Sequence, residues 1–220
     1  MFEATEIISQ NNDWMILVFL IILLILTIAK IFFNDRLLHV STLFTSKKYF
    51  LMYFSKERNN ILNVFQILLF VVQLLVLSMF IYHSIIFYQL KMDFFGLNKY
   101  LIIVAGVGFY LGFRYITGLF LAYIFDLKNG HNKFVFEKVN YFNNLILWLL
   151  PFLVLYVFTR DFKIFFFIIT VSLFVLLIII RYSLILSNNK KLLFNDIFYF
   201  ILYLCALEIG PLVIIFKLTI

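Results

Sequence analysis

The run GVGFYLGFRYITGLF, residues 106–120, has an arginine in the middle of an apolar stretch that is spaced with glycines. Apolar residues continue on both sides, over 100–125, and a bilayer core needs roughly 20 residues of helix. A charge at the centre of a bilayer costs from roughly 2.5 to more than 10 kcal/mol. We therefore expect Arg114 to point inward, toward a polar partner or water in the interior of a membrane protein.

The composition extends this interpretation to the whole chain. Hydrophobic residues make up 65% of the 220 residues and charged residues 13%, whereas a soluble domain is about half apolar and a quarter charged. The excess lies in long segments and predicts an all-α fold, a polytopic transmembrane helical bundle forming one domain over 1–220. About six spans can be marked, at 14–33, within 61–90, and at 100–125, 141–159, 164–180 and 192–216.

The fourth span leaves an alternative open. Its apolar part begins near Leu145 and contains Pro151, which removes a backbone donor and predicts a kink. Five spans and a re-entrant segment fit the sequence as well.

The distribution of basic residues predicts the orientation. Residues 1–13 carry acidic side chains and no Lys or Arg, and the first, third and fifth connections hold roughly twice as many Lys and Arg as the other connections and the C-terminal tail. Cytoplasmic connections are enriched in Lys and Arg, so we expect both termini on the non-cytoplasmic side. The net charge of +7 follows this pattern, and we expect no nucleic-acid partner.

The first connection, 34–60, is the only long one. It contains LLHVSTLF and KKYFLMYFSKER, apolar clusters flanked by basic residues, and predicts a cytoplasmic amphipathic helix lying among lipid headgroups. A docking surface for a cytoplasmic partner is the alternative. The basic residues expected at this interface are Arg36, Lys47, Lys48, Lys56 and Arg58.

Motifs that carry chemistry are missing from the sequence. There is no HExxH, no P-loop and no GxSxG. Cys205 is the only cysteine, so no disulfide or cysteine-based zinc site can form within the chain. Haem held by two imidazoles is disfavoured because only His83 lies in a predicted span. We expect no enzyme activity and no cofactor.

Polar residues inside the predicted spans are the candidate functional residues: Arg114, Glu208, Gln66, Gln73 and Asp196. Counting 1.5 Å per residue from the outer span ends, Arg114 and Glu208 differ in depth by about 9 Å, which is near the combined reach of the two side chains. A direct ion pair, or one bridged by water or a tyrosine, can therefore form.

Glu208 is followed by Gly210 and Pro211, which predict a second helix kink. A kinked helix beside a carboxylate is how many transporters form an ion or proton site. A structural pair that holds two helices in register is the alternative interpretation.

The glycines of the third span predict close helix packing. Ala105, Gly108 and Gly112 form one face of small residues, and such a face lets another helix approach closely. A second face carries Arg114 and Gly118 among residues at four-residue spacing. We expect this helix to be packed on two sides, at the centre of the bundle.

Two stretches carry a resemblance to a known family: KKYFLMYFSKERNN at 47–60 and GFYLGFRYITGLFLAYIFDLK at 108–128. In these, in its length and in its Phe/Tyr/Ile-rich spans, the chain resembles an uncharacterised family of small multi-span inner-membrane proteins of the Bacteroidota. The resemblance implies a multi-pass protein of the inner (cytoplasmic) membrane of a diderm bacterium. It also implies association with machinery peculiar to that phylum, such as its protein secretion and gliding apparatus.

Two functional hypotheses follow. The first is a non-catalytic integral inner-membrane subunit or assembly factor of a larger complex, whose partners are membrane lipids and other integral membrane proteins. The second is a small proton- or ion-coupled transporter or channel that uses Glu208 and Arg114. A membrane enzyme acting on lipids is a remote third.

Overall fold

The computed structural model describes residues 13–44, 50, 52–53, 63–88, 96–124, 128–159 and 162–188, with side chains described except at 118–124 and 128–134. These residues form five long α-helices: α1 (Asp13–Ser41), α2 (Val64–Phe87), α3 (Leu97–Ile124), α4 (Lys128–Phe158) and α5 (Lys163–Asn188). All five are long and apolar enough to cross a membrane. The predicted all-α fold is confirmed, while the predicted span at 192–216 lies outside the described residues.

Successive helices run in opposite directions. At one end of the bundle the ring of Phe33 in α1 lies 5.5 Å from that of Phe65, at the start of α2. Gln66, beside Phe65, bonds to Asn140 in the first half of α4. We call this the basic end, because the Lys- and Arg-rich connections adjoin it. The charge pattern predicts that it is cytoplasmic.

Aromatic side chains dominate the opposite end. The Trp14 ring lies 5.2 Å from the rings of both Tyr82 and Tyr100, which joins the start of α1 to the end of α2 and the start of α3. The Phe87 and Phe167 rings stack at 3.9 Å and join α2 to α5. Large rings bury much apolar area at these contacts, and the Tyr100 hydroxyl adds a hydrogen bond to the Leu75 carbonyl at 3.3 Å.

Helices α2 and α4, and not α3, are the central elements of the described bundle. Half of the most apolar stretch of α2 and 44% of that of α4 are buried, against 6% for α3. Within the described part of the chain, α3 packs chiefly on α2. Among the described residues one face of α3 is covered, and packing on a second side stays a prediction, since the predicted span at 192–216 lies outside them.

Helix α1 is broken at Phe33, whose φ and ψ of −138° and 43° are not helical. The Phe19 ring of α1 lies 5.8 Å from the Phe158 ring at the end of α4. If α1 were straight, Ser41 would lie about 33 Å nearer the basic end than Phe19 does. Trp148 lies only about 15 Å nearer that end than Phe158 does. Yet Trp148 Nε1 donates a hydrogen bond to the Ser41 carbonyl at 3.2 Å. Residues 34–44, which we call the bent segment, therefore turn back beside α4.

The bent segment occupies the start of the predicted interfacial connection 34–60. Helical structure continues through the break to Ser41, so the first helix is longer than the predicted span 14–33. Val40 and Leu43 are fully buried against Phe65 and Tyr141 in a cluster at the basic end. This part of the connection thus packs on the bundle.

Helix α4 covers the predicted fourth span as one continuous helix. It continues through Pro151 to Phe158, and its apolar part, Val135–Phe158, is 24 residues long. At about 1.5 Å per residue this length matches a bilayer core of about 30 Å. The helix therefore begins well before the expected start at 141, and three asparagines lie inside its apolar part.

The central position of α4 can be tested by truncating one of its buried side chains. Leu149 is completely buried, so Leu149→Ala leaves a void and should destabilise the protein by about 2 kcal/mol or more. Leu155→Ala on the same helix, at a side chain that is 48% exposed, is the matched control. Thermal unfolding in detergent measures both, and equal losses would contradict the assigned packing of α4.

Candidate functional site

Four carboxamide side chains meet inside the bundle near the basic end. Gln66 comes from α2, and Asn140, Asn143 and Asn144 come from α4. Their exposed fractions are 8%, 0%, 2% and 0%. Residues three and four apart lie on neighbouring positions of a helix surface, so the run NYFNN at 140–144 turns its asparagines to one side of α4. We call these four residues the amide cluster.

Three side chains of the cluster form a directed chain of hydrogen bonds. Asn143 Nδ2 donates to Gln66 Oε1 at 3.2 Å, and Gln66 Nε2 donates to Asn140 Oδ1 at 2.9 Å. Asn140 Nδ2 then donates to the Phe136 carbonyl at 2.8 Å. Each side-chain hydrogen bond between membrane helices contributes roughly 0.6–2 kcal/mol. The chain of amides therefore fixes the register of α2 against α4.

Arg181 anchors α5 to a different side of α4. Its side chain is 4% exposed, Nη2 donates to the Lys138 carbonyl at 3.2 Å, and the guanidinium lies 4.6 Å from the centre of the Phe142 ring. Carbonyl and aromatic partners compensate the lost hydration of a buried guanidinium. For this reason α5 continues past the predicted span end at 180 to Asn188, and Arg181 lies inside the helix, although the predicted span places it in the connection that follows.

A second hydrogen bond joins the end of α5 to α4. Asn188 Nδ2 donates to the Tyr141 hydroxyl at 2.9 Å. The Tyr141 ring is fully buried and stacks on Phe44 of the bent segment, with ring centres 6.2 Å apart. Tyr141 therefore links α4, α5 and the bent segment at the basic end.

Arg114 lies on the bundle-facing side of α3. It follows Tyr100 and Val107 at seven-residue steps and so shares their face. Tyr100 is 2% exposed and Val107 packs on the main core. Arg114 is half-buried, and its Nε atom is shielded from solvent.

The depth of Arg114 follows from the contact between α3 and α2. A Cβ at Gly108 would lie 3.3 Å from Leu74, so these two positions are level. Six residues further, Arg114 is about 9 Å nearer the basic end, within one helical turn of the level of Gln66. Polar groups from α2, α3 and α4 therefore occupy one depth of the bundle. The expected pair with Glu208 involves a residue outside the described part.

The other candidate residues fall into two groups. Gln73 is buried on α2, one heptad from Gln66. Arg36 lies over the rings of Tyr53 and Phe33, at 4.9 and 5.7 Å. Outside the described residues, or with side chains not described, are Asp196, Glu208, Gly118, Gly210, Pro211, Lys47, Lys48, Lys56 and Arg58.

The small residues of α3 do not share one environment. Gly108 faces Leu74, whereas a Cβ at Gly106 or Gly112 would meet no atom within 4 Å. Ala105 is exposed. Gly108 thus serves the α2 contact, and Ala105 and Gly112, predicted to share its face, point away from the described bundle.

Sequence reasoning identified Gln66 and missed its three partners. The predicted fourth span puts NYFNN at or before its start, where asparagines need no explanation. A signal was present, because residues 140, 143 and 144 have helical spacing directly before an apolar run. Amides do not titrate, so the described cluster can bind and orient polar groups but cannot itself exchange protons.

Together these features define an all-α fold for the described residues. Each described helix is suited to span a membrane, and the helices together enclose a polar cluster. The chain belongs to the family described as a domain of unknown function, DUF4271, whose model matches residues 15–219. No curated protein and no solved structure matches the chain significantly. The family match covers the described helices almost completely and also the predicted span at 192–216.

The pairing of Gln66 with Asn140 can be measured by a double-mutant cycle. Gln66→Ala and Asn140→Ala should each destabilise the protein, and the double variant should lose less than the sum by roughly 1 kcal/mol, because the bond is shared. Unfolding in detergent micelles provides the free energies. A cycle of Gln66→Ala with the exposed Ser172→Ala should show strict additivity, and additivity in both cycles would disprove the pairing.

Proposed function

We propose that this chain is a non-catalytic integral subunit or assembly factor of a larger protein complex in the bacterial inner membrane. The observation that carries the proposal is the side of α3 that no other described helix covers. It bears Ala105, Gly106 and Gly112 beside Phe109 and Phe113, whose rings are 77% and 57% exposed. We call these five residues the open face of α3.

The shape of the open face favours a protein partner over lipid. Helices in a bilayer associate through close packing, since lipid provides no hydrophobic drive, and small residues permit that close approach. Among the described residues no atom lies within 4 Å of a Cβ placed at Gly106 or Gly112, and the rings of Phe109 and Phe113 stack at 6.3 Å to form an adjacent ridge. A groove beside a ridge suits the packing of another helix.

The location is part of the proposal and rests on the sequence. The concentration of Lys and Arg in alternate connections supports a multi-pass protein with both termini outside the cytoplasm. The resemblance of 108–128 to inner-membrane proteins of the Bacteroidota supports that membrane and that phylum. The protein secretion machinery of that phylum is one complex of which this chain could be a subunit.

The proposal predicts that the open face retains a partner. Gly112→Leu should leave folding unchanged, because no atom of the described residues would contact a Cβ at this position, and should abolish co-purification of stoichiometric partners in mild detergent. Ser172→Leu on the exposed side of α5 is a matched small-to-large control that should retain them. A wild-type chain that purifies alone and monodisperse would overturn the proposal.

The second candidate is a small transporter or channel that uses Glu208 and Arg114. One observation favours it: Arg114 lies level with the amide cluster, so that polar groups from three helices occupy the same depth. A polar pathway through the bundle would require such a layer.

Transport by this route predicts a dependence on the carboxylate. Glu208→Gln should abolish pH-dependent flux into liposomes while the protein stays folded, because the amide cannot release a proton. Flux that is unchanged by this substitution would dismiss the transporter.

A further inference from the structure

Two side chains of the amide cluster keep polar atoms that the chain of hydrogen bonds does not use. Both amide atoms of Asn144 and the Oδ1 of Asn143 are buried, and none of them has a hydrogen-bond partner in the described part of the chain. The exposed fractions of these residues are 0% and 2%. Buried polar atoms of native proteins are nearly always paired, with protein or with ordered water.

The position of Asn144 follows from the helical repeat of α4. Tyr141, Asn144 and Trp148 form one stripe, at spacings of three and four residues. The two outer members of the stripe contact the bent segment, because Tyr141 stacks on Phe44 and Trp148 donates to the Ser41 carbonyl. Asn144 therefore lies between them, beneath residues 41–44.

The α2 side of the same position is defined by Asn140. It precedes Asn144 by one turn and accepts a hydrogen bond from Gln66. Asn144 thus lies where α2, α4 and the bent segment meet. We call this place the junction.

The surroundings limit what can satisfy the unused atoms. The buried cluster at this end contains Val40, Leu43, Phe65 and Leu69, which offer no side-chain hydrogen bonds. Arg181 lies toward Phe142, on a different side of α4 from Asn144. The unused atoms are themselves uncharged, so they match a neutral ligand that both donates and accepts and can bond two amide oxygens and one amide nitrogen.

We infer that the junction is a binding site for a small neutral hydrogen-bonding molecule, with water as its smallest ligand, closed by the bent segment. A bound water makes about three hydrogen bonds to buried polar groups, and three unused atoms are present on Asn143 and Asn144. The inference goes beyond the proposed function, since it concerns the interior of the bundle and not the open face of α3.

The bent segment controls entry to this site. Its hydrogen bond to Trp148, whose side chain is 51% exposed, is one of the contacts that hold it over Asn144. Loss of this bond should let the segment swing away more often and admit molecules from the basic end.

Thiol labelling tests the site directly. In a full-length Cys205→Ser background, Asn144→Cys and Leu145→Cys are compared in membrane vesicles with a small hydrophilic methanethiosulfonate reagent. Both positions are completely buried, but only the first lies at the junction. The thiol introduced at position 144 should react about tenfold faster than the one at position 145, because reaction requires water and a thiolate.

The hydrogen bond from Trp148 to the Ser41 carbonyl is tested in the same assay. Adding Trp148→Phe, which keeps a large ring and removes the donor, should accelerate labelling at position 144 and leave position 145 unchanged. Equal, slow labelling at both positions, with and without Trp148→Phe, would overturn the site.

A stability measurement keeps the inference testable if the cysteine variant does not fold. Asn144→Leu replaces the amide with an apolar side chain of similar size. If the junction were dry, removing an unpaired buried amide would raise the unfolding temperature. If the amide holds a ligand, the substitution should lower it, and a raised unfolding temperature would contradict the inference. Neither result depends on whether the open face retains a partner.

Discussion

The contact between Gln66 and the asparagines of α4 is the constraint on which the described structure depends. A carboxamide that is buried in an apolar bundle must find its hydrogen bonds on a neighbouring helix, since no solvent competes for them. Gln66 satisfies both ends of its amide on α4, with Asn140 and Asn143. Apolar contacts alone tolerate sliding, but a two-ended amide contact defines one register, and α2 and α4 are the most buried helices.

Most of the other side-chain hydrogen bonds between elements lie at the same end of the bundle. Arg181 ties α5 to α4, and Asn188 bonds to Tyr141. Trp148 holds the bent segment. The opposite end is joined by aromatic rings such as Trp14 and Tyr82. The bundle therefore has a directional, hydrogen-bonded end and an end of adaptable apolar packing, and the junction and Arg114 belong to the first.

The sequence predicts the helices well because each is a long apolar run, and composition alone determines which segments can enter a bilayer. It also singles out Gln66 and Arg114, since isolated polar residues in such runs must be compensated. The sequence does not place NYFNN inside α4, because a hydropathy pattern ends a span where polar residues accumulate. Hydrogen bonds to Gln66 of α2 make the burial of these asparagines tolerable. Arg181 was misplaced in a connection for the same reason.

Two other features depend on contacts that no local pattern reveals. The break at Phe33 follows neither Gly nor Pro, and the bent segment is held by Trp148, more than 100 residues away in sequence. The sequence does not reveal that α3 lies at the edge of the described bundle. Small residues that contact another helix and small residues that do not have the same spacing along the chain. Gly108 faces Leu74, whereas a Cβ at Gly112 would meet no atom of the described residues within 4 Å.

Cross-linking in the native membrane tests the account most directly. In a Cys205→Ser chain carrying a protease site within 89–95, Gln66→Cys and Asn140→Cys are treated with a short bifunctional thiol reagent, and the chain is then cut. The account predicts that the two fragments stay joined under denaturing conditions, whereas Gln66→Cys with Leu155→Cys, near the opposite end of α4, gives separate fragments. Separate fragments from both pairs would contradict the alignment of α2 with α4.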